Sequence, residues 1–196
     1  MTPPIRIGFA LTGSFCTFSA VLPIVETLVS RGCEITPILS AHAATLDTRF
    51  GAADMWRNRL CEITGREVID SIPAAEPIGP KKLFDILIVA PCTGNTLAKL
   101  AHGVPDTTVT MAVKSHLRGE KPVVLAVSTN DALSGSAANL GTLLNRKHYF
   151  FVPMRQDAPF AKPRSLVADM GRIPETIGAA LENRQLQPIF LAPGEH

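Results

Sequence analysis

Ile86-Leu87-Ile88-Val89-Ala90-Pro91-Cys92-Thr93-Gly94-Asn95-Thr96-Leu97-Ala98-Lys99-Leu100-Ala101 is the stretch on which the fold of this chain turns. Its first four residues are an unbroken aliphatic run, the pattern of a strand buried on both faces. Leu97 to Ala101 reads as the start of a helix. Between them, residues 90–96 form a turn of small hydroxyl, amide and glycine residues without charge. A strand that opens into a polar turn and then a helix sets the turn at the strand's carboxyl end, where open parallel sheets bind ligands. The composition suits a flat, mostly neutral ligand approached closely by the backbone. It suits a metal ion or a hydrolytic nucleophile poorly, and no metal site is expected.

Outward from this motif the same unit recurs. Residues 5–11 form an apolar run ending in Thr12-Gly13-Ser14, after which Phe18, Val21, Leu22, Val25, Leu28 and Val29 share one helical face. Pro23 predicts a kink there or a later helix start. Gly32 closes that helix, and residues 33–39 form a second strand running into Ser40. Residues 41–65 read as mainly helical. A Pro- and Gly-punctuated connection, 72–80, leads to the strand 84–89, the central motif and a helix near 96–102. Residues 103–106 stop that helix and restart it at 109–117, despite the β-branched residues there. Strand 123–127 ends in Ser128-Thr129-Asn130-Asp131; helix 136–146, strand 148–152 and a terminal helix within 164–184 follow. Such alternation predicts an α/β fold of three layers, a doubly wound parallel sheet of Rossmann-like type, as one domain over residues 1–196. The last dozen residues, with Pro188, Pro193 and Gly194, read as an arm or tail from about 185.

Composition narrows the function classes. The 196 residues are 46% hydrophobic with mean hydropathy +0.20, enough for a substantial core. A formal charge of +2 is too small for a general nucleic-acid binder. Cys16, Cys33, Cys61 and Cys92 form no Cys-x-x-Cys pair, which argues for free thiols in a reducing cytosol. Arg6 precedes an apolar stretch, but Gly8, Thr12, Gly13 and Ser14 interrupt it, so a strand-turn-helix explains it better than a signal peptide. No apolar run approaches the roughly 20 residues that span a membrane. The expected location is the cytoplasm.

Four strand ends then line up: Thr12-Gly13-Ser14, Ser40, residues 90–96 and residues 128–131. Each can present backbone amides and small polar side chains on one edge of a parallel sheet. Gly13 and Ser14 before a helix form a phosphate seat, because free amides and the helix dipole favour an anion. An ordinary capped helix accounts for the same three residues taken alone.

Ala90-Pro91-Cys92-Thr93-Gly94-Asn95-Thr96-Leu97-Ala98-Lys99, with Ala101 and Gly103, resembles the Pro-Ala-Ser-Ala-Asn-Thr signature of the flavoprotein family. That family includes flavin-containing cysteine decarboxylases and flavin prenyltransferases. The resemblance spans most of residues 5–155. It implies flavin mononucleotide (FMN) on a doubly wound sheet, in homo-oligomers built as trimers or multiples of them, with the flavin at a subunit boundary. On this resemblance Gly13, Ser14 and Ser40 address the phosphate. Pro91, Thr93, Asn95, Thr96 and Ser128 cradle the cofactor, and Asn130 is the catalytic candidate. Residues 76–85, 121–124, 128–133, 152–159 and 162–168 further resemble the B-subunit family of dipicolinate synthases. This implies oxidation of the dihydrodipicolinate-pathway intermediate to pyridine-2,6-dicarboxylate, the spore solute. The partner would be an A subunit with a nicotinamide-type dinucleotide fold, through which NADP or NAD would act.

Departures from the decarboxylase pattern weigh against decarboxylation. Decarboxylating members carry a histidine about a dozen residues before their Ala-Pro turn, whereas no histidine lies between His42 and His102 here. Of their later Pro-Ala-Met-Asn motif only Asn130 carries over. Aromatising a dihydropyridine removes a hydride equivalent and a proton, so the site needs a hydride acceptor and cations for two carboxylates. Arg155, Lys162 and Arg164 follow the last strand in a Pro-rich loop, and an Arg fork binds a carboxylate bidentately. Arg155 and Arg164 are the substrate-binding candidates, with a solvated loop as the other reading. Lys114, His116 and Arg118 are expected on an exposed helix face, and Lys99 and His102 at a helix end or subunit contact. Cys92 reads as a small apolar filler, Trp56 and Tyr149 as packing residues, and Asp131 as a helix cap. Three readings stay open: a flavin-binding oxidoreductase subunit; a flavin-free or non-catalytic partner with this fold; and an FMN-dependent decarboxylase.

Overall fold

The long aliphatic runs form the centre of the molecule in a computed structural model that describes residues 3–192. Strands β1 (Arg6–Leu11), β2 (Glu34–Leu39), β3 (Ile86–Cys92), β4 (Val123–Thr129) and β5 (Tyr149–Phe151) lie parallel in the order β2-β1-β3-β4-β5. Phe9 sits opposite both Pro37 and Ile88, and Ile88 opposite Val124. Ile7, Phe9, residues 86–90 and residues 123–127 are inaccessible to solvent, as strands covered on both faces require. The Rossmann-like doubly wound fold expected from the alternation is present.

Helices cover the sheet: α1 (Phe18–Ser30), α2 (Ala41–Thr45), α3 (Ala53–Thr64), α4 (Ile72–Ala75), α5 (Gly94–His102), α6 (Thr108–Leu117), α7 (Ala137–Leu144) and α8 (Ile173–Leu181). α1 packs on α3 and α8, and α5 packs on α6 and α7. β1 connects leftward to β2 through α1, while β3 connects rightward to β4 through α5 and α6. Right-handed crossovers then place these connections on opposite faces and leave a crevice between the carboxyl ends of β1 and β3.

Several boundaries differ from the sequence expectations. Pro23 lies inside α1 with its ring exposed, and α1 buries Phe18, Val21, Leu22, Val25 and Leu28. Residues 41–65 are two helices separated by a loop. Thr107 and Thr110 cap α6 reciprocally, which offsets its β-branched start. Residues 164–169 are not helical, and a single 3-10 turn, Met170–Arg172, leads into α8. β7 (Leu166–Ala168) pairs antiparallel with Ser128 and Thr129 of β4, and β6 (Met154–Arg155) pairs antiparallel with β7. This distant pairing overrides local helical periodicity, and α8 starts only at Ile173. From residue 185, where an arm or tail was expected, the chain runs beside β5 and β6. The Met154 amide donates to the Ile189 carbonyl, and the Leu191 amide to the Met154 carbonyl, both at 2.9 Å. Pro193 and Gly194 lie outside the described residues. Among the described residues no helix is long and apolar enough to cross a membrane.

Candidate functional site

The crevice at the β1/β3 switch point is a cleft of about 370 Å³, within the size range of small-molecule sites. Gly13, Ser14, Thr93, Ser128 and Asn130 line it, so three of the four expected strand ends converge there. The loop after β6 supplies Asp157 and Lys162, and β7 supplies Val167. Cys16 and Thr17, from the turn that leads into α1, complete one wall.

A buried threonine sets the geometry. Thr12 donates its hydroxyl to the Pro91 carbonyl at 2.7 Å and accepts from the Thr93 amide at 3.1 Å. This clamps the end of β1 to the turn after β3, where the Ala90–Pro91 peptide is cis. Thr93 then caps α5, its hydroxyl accepting from the Thr96 amide at 3.3 Å. Ser14 and Ser128 hydroxyls meet at 3.0 Å and tie β1's turn to β4 across the mouth of the cleft. The Ser14 carbonyl accepts from the Thr17 amide at 3.1 Å and from the Thr17 hydroxyl at 2.7 Å, which fixes the turn that leads into α1. This donor set, hydroxyls and amides with little negative charge, fits the phosphate and polar ring edge of a flavin nucleotide.

The N-terminus of α5 is packed closely against the loop after β4. A Cβ added at Gly94 would lie 2.8 Å from Asp131 Oδ1, Ser136 Oγ and Thr129 Oγ1. Asp131 accepts hydroxyl hydrogen bonds from Thr129 at 2.6 Å and from Ser136 at 3.0 Å. Asp131 therefore ties the loop after β4 to itself, packed against Gly94, and its carboxylate bonds Thr129 and Ser136 hydroxyls in place of an α7 amide, which corrects its reading as a simple cap. Gly94 is required by this close approach.

The other expected site residues stand elsewhere. Pro91 and Thr96 are buried in the clamp below the cleft. Ser40 caps α2 by accepting from the Ala43 amide, one strand away beyond β1. Asn95 is exposed on the first turn of α5 and Arg164 is exposed in the loop; neither lines the cleft. Arg155 pairs with Asp169 at 3.3 Å. Lys162 is the cation that reaches the cleft, paired with Asp157 at 2.8 Å, and the hydrogen bond and charge of Asp157 hold its ammonium on the protonated side. Sequence reasoning missed Cys16, Thr17 and Asp157; only their adjacency to Ser14 and Lys162 pointed to them.

Other singled-out side chains are structural. Burial pushes the Cys92 thiol up to about 12, in keeping with an inert filler. Trp56 packs edge-on against Phe18 at 5.5 Å. Lys114 and Arg118 are exposed as expected, but His116 is buried, contrary to its expected exposed face, and bonds the Pro122 carbonyl through Nε2 at 3.1 Å. Lys99 pairs with Asp106 at 2.7 Å.

The flavoprotein family model matches residues 1–177. The dipicolinate synthase B subunit of Bacillus subtilis is 48% identical over 186 residues, 95% of this chain and 93% of that protein. The crystal structure of the dipicolinate synthase B subunit from Bacillus halodurans superposes with TM-score 0.88 at 44% identity, covering 96% of each chain. DmrB of Burkholderia xenovorans, solved in complex with FMN, shares the fold with TM-score 0.68 at 19% identity, over 93% of this chain and 98% of its own. The clamped turn after β3 and the cleft beside it are thus carried by a chain that belongs to the flavoprotein family, in its branch of dipicolinate synthase B subunits.

Proposed function

We propose that this chain binds FMN and, with a separate A subunit, oxidises the dihydrodipicolinate-pathway intermediate to pyridine-2,6-dicarboxylate. The observation that carries this reading is the two-sided cleft. Uncharged hydroxyls and amides form one wall, and the Lys162–Asp157 ion pair stands on the other. Ser14, Ser128 and the leading amides of the α1 turn take the phosphate, with Gly13 leaving room for its approach. A bound flavin supplies a hydride acceptor. Lys162 holds one substrate carboxylate by charge-assisted hydrogen bonding. Asn130, exposed at the cleft rim, orients the heterocycle or its ring nitrogen. Asn95 and Arg164 do not line their own chain's cleft, so they act only across a boundary with a second copy, in trimers or multiples of them. NADP or NAD enters through the A subunit.

The relatives support this reading at the level of their names and of the FMN seen in DmrB, described as a cage for redox transfer. Flavin-type visible absorbance in the purified protein, or its return on adding FMN, is the expected result. A colourless protein that takes up no FMN sinks the flavin assignment and leaves a flavin-free partner subunit.

A further inference from the structure

A second cavity, of about 430 Å³, lies at the other end of α5 and shares no residue with the first. The first cleft touches the N-cap Thr93; this one touches Lys99, Leu100 and Gly103, beyond a helix about 13 Å long. Its floor is apolar, with Leu100, Val104, Val113 and Leu117 beside the partly buried Tyr149. Its rim is cationic: Lys99, Lys114, Arg118 and Arg146 line it, with no acidic residue among the lining side chains.

Two of these cations are already committed. Lys99 pairs with Asp106, and Arg146 donates to the Leu100 and Ala101 carbonyls at 3.1 and 2.7 Å, closing the end of α5. Lys114 and Arg118 are exposed and make no ion pair among the described residues. Lys114 is in the last turn of α6 and Arg118 is its C-cap, four residues on and still of helical conformation, so the two share a ridge and repel each other. Val113 and Leu117 form the adjacent ridge with the same spacing. Side by side, α6 and its C-cap offer an apolar strip and two unneutralised charges.

We propose that this cavity binds a small flat organic anion, an aromatic carboxylate or sulfonate. Its ring rests on Val113, Leu117 and Tyr149, and its charge lies between Lys114 and Arg118. Opposite charge removes the repulsion along the ridge, and a ring buries apolar floor that water otherwise covers. The site is independent of flavin binding at the first cleft.

Tyr149 is the chain's single tyrosine, which gives the test a local reporter. The full chain, with 3-fluorotyrosine in place of tyrosine, gives one fluorine resonance in the cavity. Titration with 2-naphthoate is expected to shift that line saturably. The neutral 2-naphthamide, and the double variant Lys114→Ala/Arg118→Ala titrated with naphthoate, are each expected to bind at least about tenfold more weakly. No saturable shift overturns the proposal. So does equal affinity for the amide, or an unchanged affinity in the variant. A line that responds to protein concentration and not to naphthoate overturns it in favour of a second copy over this face.

Discussion

His116 shows how far a residue's environment can depart from its sequence neighbourhood. It lies between Lys114 and Arg118, yet it is only 2% exposed, while both of them face solvent. Burial lowers its pKa to about 4; the hydrogen bond to the Pro122 carbonyl and the charge of Asp85 oppose this, and Lys121 adds to it. In the unfolded chain the imidazole titrates near its usual value of about 6.5. Between those values the unfolded state binds more protons, so stability is full above about pH 6.5 and declines as pH falls toward 4. The expected loss from this group between pH 6.5 and 4.5 is about 2 kcal/mol. His116→Gln keeps a donor for Pro122 and removes the titration. Urea melts of the two proteins at pH 7 and 4.5 measure the difference. A variant that loses as much stability as the parent over that interval refutes the assignment. The alternation of 113–118 was legible as a helix, but no local pattern told which of its polar side chains turned inward.

Elements were legible where they are long and fully buried. β1, β3 and β4 matched their aliphatic runs to within a few residues, because burial on both faces writes an unbroken apolar signal. β6 and β7 were not legible: two and three residues long, they exist through pairing with β4 and with each other. β5 depends on a similar distant contact. The Phe151 amide donates to Gln185 Oε1 at 2.8 Å, and Gln185 Nε2 donates to the Phe151 carbonyl at 2.7 Å. One side-chain amide thus stands in for a neighbouring strand at the sheet edge. Gln185→Ala strands two backbone groups of a buried residue and is expected to cost about 1–3 kcal/mol. Gln185→Glu keeps only the acceptor and should fall between the two. Denaturant midpoints identical in all three proteins would show that β5 holds its edge unaided.

At the scale of the whole molecule, the candidate site is made by topology. The central motif identified the strand end, and the lining residues Gly13, Ser14, Thr93, Ser128 and Asn130 were all legible as turn residues after strands. The cation was harder, because Arg155, Lys162 and Arg164 are close in sequence and the choice among them depends on how the loop folds back from β6 to β7. The structure ties Arg155 to Asp169 and keeps Arg164 away from the cleft, whereas Lys162, also exposed, lines it beside Asp157. Cofactor and substrate roles should therefore separate by side of the cleft. Ser128→Val removes the hydroxyl partner of Ser14 and should lower flavin content with little change in substrate KM for the flavin that remains. Lys162→Ala removes the cation proposed to hold the substrate and should lower kcat/KM about 10- to 100-fold, mainly through KM, at unchanged flavin content. Arg155→Ala should act on thermal stability first, since it frees the partly buried Asp169 carboxylate. If Lys162→Ala leaves KM untouched while Arg164→Ala raises it, the carboxylate is held across a subunit boundary and the cleft of one chain is only half of the substrate site.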